Sequence, residues 1–386
     1  MYSCTTSIGI IAQSNFNSYY SFFFIDYTMR FFSILRRKYI SILFLFFTLF
    51  LLVFANSNLV AAKTGLKLWA SNVVPSLFPF FVAANLLSYS SIPYYLSKYC
   101  NKFMKPLFNL PGISSFPFVM GLISGCPVGA KITCDLYKNT IISKSEAERM
   151  LCFTNNCSPL FIIGTVGISF YSSTELGLCL LACHILSAIT VGIIFGNSNK
   201  FQNLFMSLNF KSTKKSSNSN EFNIGKDYIK KLNHDIGLTG IGSALSDSIF
   251  NAIKSVLIVG GFVTIFSVII SIFQNLHLLD SISSIIGNIF DINKTLVNGL
   301  LTGVLEFTNG LNLVSKVNIK NISVNLIISS FLLGFGGLSV FFQVVGIAHE
   351  SHVSTKKYLC AKFLQGIIAA FYTFLLLSTP FFNFNL

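Results

Sequence analysis

The sequence predicts an all-α polytopic membrane protein built from two inverted repeats, each with a re-entrant hairpin and a broken helix. Three observations predict it: the scarcity of charge, the placement of the basic residues, and the recurrence of one interrupted apolar pattern. The chain has 386 residues, of which 53% are hydrophobic and 10% charged, and its mean hydropathy is +0.68. Soluble domains carry about 25% charged residues, so a chain of this size could not clothe a soluble surface with so few. A secreted disulfide scaffold, a cytosolic enzyme and a disordered tail are excluded on that ground. The nine cysteines are odd in number and contain no Cys-x-x-Cys. They read as small buried hydrophobes rather than a disulfide framework or a metal site.

Basic residues account for the net charge of +14. They fall between apolar stretches and not along one amphipathic face. That pattern writes membrane orientation and argues against a nucleic-acid partner. Residues 1–38 form an N-terminal extension without periodicity until Met29, where a basic flank and a long apolar run begin as a true start would. Apolar runs then predict spans near 39–55, 68–90, 150–172, 176–196, 250–276, 323–346 and 360–380. The first is read as an uncleaved helix. Two further stretches, 113–137 and 295–316, are apolar but interrupted by polar and helix-breaking residues, and are expected to be re-entrant hairpins.

Charge supports that layout. With both hairpins re-entrant, twenty basic residues fall on the cytoplasmic side, among them Lys356, Lys357 and Lys362, and five fall outside. Lys131 and Lys254 lie within membrane segments. Full crossings at 113–137 and 295–316 would carry the 138–149 and 197–247 loops outside with ten basic residues, against the positive-inside tendency. The 197–247 stretch is rich in Ser, Asn and Lys, cannot build a core, and reads as a cytoplasmic linker. The first membrane half is then 39–196 and the second 248–386.

The repeat is visible in Gly121-Leu-Ile-Ser-Gly125, which returns as Gly299-Leu-Leu-Thr-Gly303 after 178 residues. Each is followed by a second interrupted segment: Phe153–Gly164, in the broken span 150–172, and Gly334–Gln343, in the broken span 323–346. Three spans between the hairpins place them on opposite faces. Lipid cannot satisfy free backbone groups, so a broken helix survives where it is buried in protein or lines a wet cavity. Paired breaks near the midplane are a mark of secondary transporters.

Candidate binding residues follow from those breaks. In the first hairpin, Gly125, Pro127 and Gly129 permit a tight reversal. Lys131 reads either as an anchor for an anion or as a side chain that snorkels to the interface or pairs with Asp135. In the second, Glu306 stands beside Thr308 and Asn309; it could carry a coupling proton, hold Na⁺, bind a substrate donor or serve structure alone. Thr154, Asn155, Asn156, Ser158, Ser339 and Gln343 offer uncharged hydrogen bonds, and some would instead join helices. Ser143–Glu146 reads as a capping box opening a helix whose Glu148 and Arg149 face solvent. His349 and His352 lack the spacing of a zinc-peptidase helix, and no phosphate loop, dinucleotide fingerprint or nucleophile elbow is present. No cofactor or covalent chemistry is expected. The expected partners are a small-molecule substrate and the lipid bilayer.

The blocks GLISGCPVGAK, SKSEAERMLCFTNNCSPLFIIG, GGFVTIFSVI, LEFTNGLNLVS and SFLLGFGGLSVFFQ, in this order, resemble the YlbJ-type sporulation integral membrane proteins of the nucleoside-recognition Gate family. The resemblance covers about Leu66 to Leu376. It departs at Cys126, where the family usually has an aromatic. It implies a fold similar to concentrative nucleoside transporters, a place in the outer forespore membrane of a spore-forming bacterium, and transport of dipicolinic acid toward the forespore. A dianion suits Lys131 and helix N-termini. Glu306 suits it less well, which leaves a nucleoside or nucleobase carrier as a second reading and a non-transporting envelope scaffold as a third.

Overall fold

A computed structural model describes residue 39 and residues 41–197, 238–318 and 322–378. The N-terminal extension, the Met29 start and most of the 197–247 linker lie outside the described residues. Among those described, the secondary structure is helical throughout. The chain divides into two compact units, Met1–Asn58 and Leu59–Leu386.

In the first unit, helix α1 (Ser41–Val53) occupies the expected first span. It is about 20 Å long, against a hydrocarbon core of about 30 Å. The chain turns at Phe54, and the Asn58 side-chain amide donates back to the Phe50 carbonyl at 3.1 Å, which ends the helix. Phe46, Phe50 and Phe54 stack in succession along it.

The second unit repeats one order of elements twice. The first round begins with α2 (Ala55–Leu68), whose first four residues fall in the first unit, then a π turn (Trp69–Val73) and α3 (Val74–Ser88), followed by α4 (Ile92–Phe108). Then come α5 (Ser115–Ser124) and α6 (Val128–Lys138), and after them α7 (Lys144–Thr154), a break, a π-helical segment (Phe161–Phe170) and α8 (Thr174–Asn197). The second round is α9 (Leu238–Asn275), α10 (Leu278–Phe290), α11 (Lys294–Leu305), α12 (Phe307–Ser315), α13 (Ser323–Phe335), α14 (Gly337–Glu350) and α15 (Lys356–Leu377). Among the described residues four stretches are long and apolar enough to cross a membrane, Thr174–Gly196, Gly240–Asn275, Ser323–Glu350 and Lys356–Leu377, and up to six if the bent pairs Ser41–Val53 with Ala55–Ser71 and Ile92–Phe108 with Gly112–Ser124 each count as one span.

The paired helices α5–α6 and α11–α12 occupy the two interrupted stretches. Each helix is only about 15 Å long, half a bilayer, so neither can cross alone. Both pairs pinch together at glycines. A Cβ on Gly121 would lie 3.1 Å from the Gly129 Cα, and one on Gly310 would lie 2.1 Å from the Gly303 Cα. The second spans bend open where the sequence loses its helix formers: at Asn155–Ser158 after α7, and at Gly336 between α13 and α14. Gly336 and Gly337 have φ of +80° and +74°, which Cβ-bearing residues seldom adopt.

Two helices escape a search for apolar runs. α4 meets the hairpin arm at 94° and exposes Tyr95, Tyr99 and Phe103 beside Lys98, Lys102 and Lys105. α10 likewise exposes Leu278, Ile282, Ile285 and Ile289. Both are amphipathic, with apolar residues at helical spacing among polar ones. Lys98, Lys102 and Lys105 lie within α4.

Ser143 does cap α7. Its hydroxyl accepts from the Glu146 amide while the Glu146 carboxylate accepts from the Ser143 amide. The expected solvent-facing side of that helix is corrected, because α7 packs against α8 and α15. Glu148 pairs with Lys357 at 3.3 Å, and Arg149 donates to the Gly196 carbonyl at 3.3 Å.

Candidate functional site

The hairpin tips and helix breaks of both halves meet at one cavity. Cys126 comes from the first hairpin tip, and Cys157, Ser158 and Phe161 from the first break. Glu306, Phe307 and Thr308 come from the second hairpin tip; Ser339, Val340 and Gln343 begin the half-helix after the second break. Val73 at the end of the π turn, Leu77 of α3, and Val259 and Val263 of α9 close the remaining wall. Those two helices are held side by side by Trp69, whose ring lies over Gly260 and whose indole N–H donates to the Val256 carbonyl at 3.0 Å. About 40 Å³ of the cavity is open to the centre of a water-sized sphere, room for about three waters.

Local chemistry builds each corner. Gly125 has φ +87°, and a Cβ there would come within 3.0 Å of the Ser158 amide, so the first hairpin tip closes on the first break. Cys126 follows, joined to Pro127 by a cis peptide bond, and its thiol donates to the Asn156 carbonyl at 3.0 Å. Gly121 and Gly129 bring both hairpin arms against the Thr154 carbonyl, the last of α7, where a Cβ on either would lie within 1.9 Å of the oxygen. In the second hairpin, Glu306 caps α12. Its carboxylate accepts from the amides of Thr308 at 3.1 Å and Asn309 at 2.8 Å, with no solvent exposure. The Gly337 backbone closes on this tip near the Phe307 amide.

Of the residues singled out from sequence, Ser158, Glu306, Thr308, Ser339 and Gln343 line the cavity. Ser339 has the most available group: its hydroxyl is buried and has no hydrogen-bond partner among the described residues. Gly125, Pro127 and Gly129 shape the first hairpin without lining the cavity. Thr154, Asn155 and Asn156 form the buried backing of the first break, and Thr154 shares a 3.3 Å hydroxyl contact with Thr133. Asn309 ties the second hairpin to α9 by donating to the Ser267 hydroxyl at 3.0 Å.

Lys131 is corrected as an anion anchor. It lies on α6, partly exposed and away from the cavity, with Asp135 one turn on and Lys254 as charged neighbours. Among the described residues, a lysine expected on the cytoplasmic side, Lys362, is instead the cation at the first break. The residue is 3% exposed, and its ammonium donates to the Asn155 carbonyl at 2.9 Å and to Gln365 Oε1 at 2.6 Å. Gln365 Nε2 in turn donates to Asn156 Oδ1 at 3.1 Å, and Asn155 Nδ2 donates to the Tyr358 hydroxyl at 2.8 Å. Tyr358, Lys362 and Gln365 therefore share one face of α15 and grip the first break from behind. α8 grips it from another side, because His184 Nε2 accepts from the Cys157 amide at 3.2 Å. The signal was present in the sequence: Tyr358, Lys362 and Gln365 stand at helical spacing in the last apolar segment.

A family model described as nucleoside recognition (Gate) matches residues 70–174, the stretch from the start of the cavity wall through the first hairpin and the first broken helix. The sporulation integral membrane protein YlbJ of Bacillus subtilis (strain 168) is 34% identical over 339 residues, which is 86% of this chain and 81% of that protein. No solved structure matches. On identity at that level over more than four fifths of each chain, the protein belongs to the family of YlbJ-type sporulation integral membrane proteins.

Proposed function

We propose that this protein is a transporter that carries a small aromatic anion, dipicolinate, across the outer forespore membrane during sporulation. One observation carries the reading. Both hairpin tips and both helix breaks supply walls of a single cavity, whereas a scaffold gives no reason to gather costly interruptions at one point. The repeated order of elements supports two inverted halves that rock about this point, in the manner of concentrative nucleoside transporters. Space for about three waters does not admit an aromatic ring, so entry requires the hairpins to part from the breaks, as alternating access demands. Phe161 and Phe307, with ring centroids 5.4 Å apart, offer apolar faces to a flat solute. Ser158, Thr308, Ser339 and Gln343 offer hydrogen bonds at its rim.

A nucleoside is the second reading, and Glu306 favours it, since a buried carboxylate at the cavity accepts from sugar hydroxyls more readily than it tolerates an anion. Glu306 is equally placed to carry a coupling proton or to hold Na⁺, which would reconcile it with an anionic cargo. Uptake into proteoliposomes decides between these. Labelled dipicolinate is expected to accumulate, and uridine and adenosine are not. Nucleoside uptake without dipicolinate uptake would overturn the main reading, and uptake of none would return the protein to the scaffold class.

A second measurement locates the site. Cys126 is the partly accessible thiol of the cavity. With Cys4, Cys100 and Cys360 replaced by serine, a methanethiosulfonate reagent should modify the protein at Cys126, and added dipicolinate should slow that modification. Equal rates with and without dipicolinate would place the solute elsewhere.

A further inference from the structure

Lys362 has surroundings unlike those of an ordinary structural lysine. Its two hydrogen-bond acceptors are the Asn155 carbonyl and the Gln365 amide oxygen, both uncharged. Among the described residues no carboxylate pairs with it. A buried ammonium without a counter-ion is costly, and at membrane depth such a group is normally kept for an ionic partner that comes and goes. The charge sits directly behind the cavity wall: the Asn155 carbonyl that accepts from the ammonium is two residues before Cys157, which lines the cavity together with Ser158. His184 stands 178 residues before Lys362, the same offset that relates Gly121 to Gly299. It accepts a hydrogen bond at Nε2 from Cys157, which an uncharged imidazole nitrogen does. His184 and Lys362 thus bring a neutral and a cationic side chain to the same break.

We propose that Lys362, held behind Asn155–Ser158 by Gln365, is the specificity-determining charge that makes the cavity prefer anionic over neutral aromatic solutes. The proposal deepens the transport reading above and rests on it. Lys362 acts across the Asn155–Ser158 backbone rather than by direct contact, so it is a positioning and selectivity residue. An anion in the cavity completes the ion pair that the protein leaves open, and a neutral solute of the same shape does not.

The test is calorimetric binding to the full-length protein in detergent, with three probes of graded charge: dipicolinate, picolinate and the neutral pyridine-2,6-dicarboxamide. Wild-type protein should bind them in that order. Lys362→Gln should weaken dipicolinate by roughly tenfold or more, picolinate by less and the diamide hardly at all, as a through-space charge of this kind predicts. Lys362→Arg should keep the order. Equal weakening of all three probes in Lys362→Gln would overturn the proposal and make Lys362 a support for the break. Wild-type binding of the diamide as tight as that of dipicolinate would also overturn it while leaving an aromatic-solute carrier intact, and this comparison decides the matter if Lys362→Gln does not fold. Binding of none of the probes by wild type would sink the transport reading and the proposal with it.

Discussion

Gly129→Ala is expected to abolish most of the folded, monodisperse protein, and whatever folds should transport poorly. An added Cβ would stand 1.9 Å from the Thr154 carbonyl oxygen and 2.7 Å from its carbon. Both are backbone atoms that cannot swing aside as a side-chain tip would. Relief requires α6 to back away from α7, yet Thr133, one turn along α6, meets the Thr154 hydroxyl on the same contact. Overpacking of a well-fitted interior costs about 1–3 kcal/mol, and a backbone-to-backbone collision belongs at or above the top of that range. The displacement would also act on the site, because Thr154 directly precedes the break and Asn155 holds Lys362. The control is Gly261→Ala, where nothing lies within 4 Å of the added carbon. There the change should be neutral or slightly stabilising, since alanine is favoured over glycine within a helix. Thermal unfolding in detergent and the monodisperse yield by gel filtration measure the contrast. Equal midpoints for the two variants would show that the hairpin does not pack on the break this tightly.

The halves of the molecule were legible in proportion to how far each depended on local backbone chemistry. Gly121–Gly125 and Gly299–Gly303 announce themselves because a hairpin that must pinch at its arms and reverse at its tip has few residue types to choose from. Asn155, Asn156 and Ser158 are legible as a break because a run of small polar residues before Pro159 cannot continue a buried helix. α4 and α10 were not, since an interfacial helix mixes tyrosines, lysines and isoleucines at a period of 3.6 and never forms an unbroken apolar run. Lys131 and Lys362 were exchanged for a physical reason. Sequence distance from a hairpin tip says nothing of which way a helix face points, so a lysine four residues after Pro127 looked closer to the site than it is. Lys362 reaches the break across more than 200 positions of chain, and only tertiary packing of α15 on α7 and α8 brings it there. With Lys362 buried at the break, the basic residues expected on the cytoplasmic side number nineteen instead of twenty, against the five expected outside.

The other large effect is expected at Glu306, and two substitutions separate its two roles. As a cap it satisfies the amides of Thr308 and Asn309 in a place without solvent. Glu306→Ala removes that service and leaves the two buried amides without an acceptor, at about 1–3 kcal/mol. The second hairpin tip would then loosen against Gly337, and folded yield and uptake should fall together. Glu306→Gln keeps the shape and one acceptor oxygen, so at least one of the two amides stays paired and the yield should remain close to wild type. What it loses is the ionisable carboxyl that faces Ser339 and Gln343 across the cavity. If that group carries a coupling proton or helps to hold a coupling cation, uptake driven by an imposed ion gradient should drop by roughly tenfold or more, the usual cost of removing a positioned proton carrier. Exchange of solute at equal concentrations, which needs no net coupling, should survive. Unchanged gradient-driven uptake in Glu306→Gln would leave Glu306 as a cap alone, and loss of both uptake and exchange would assign it to binding of the solute itself. The same pair of measurements on Asn155→Ala gives the reference for a residue that backs the break without ionising: gradient-driven uptake and exchange should decline there in parallel, and more steeply than folded yield.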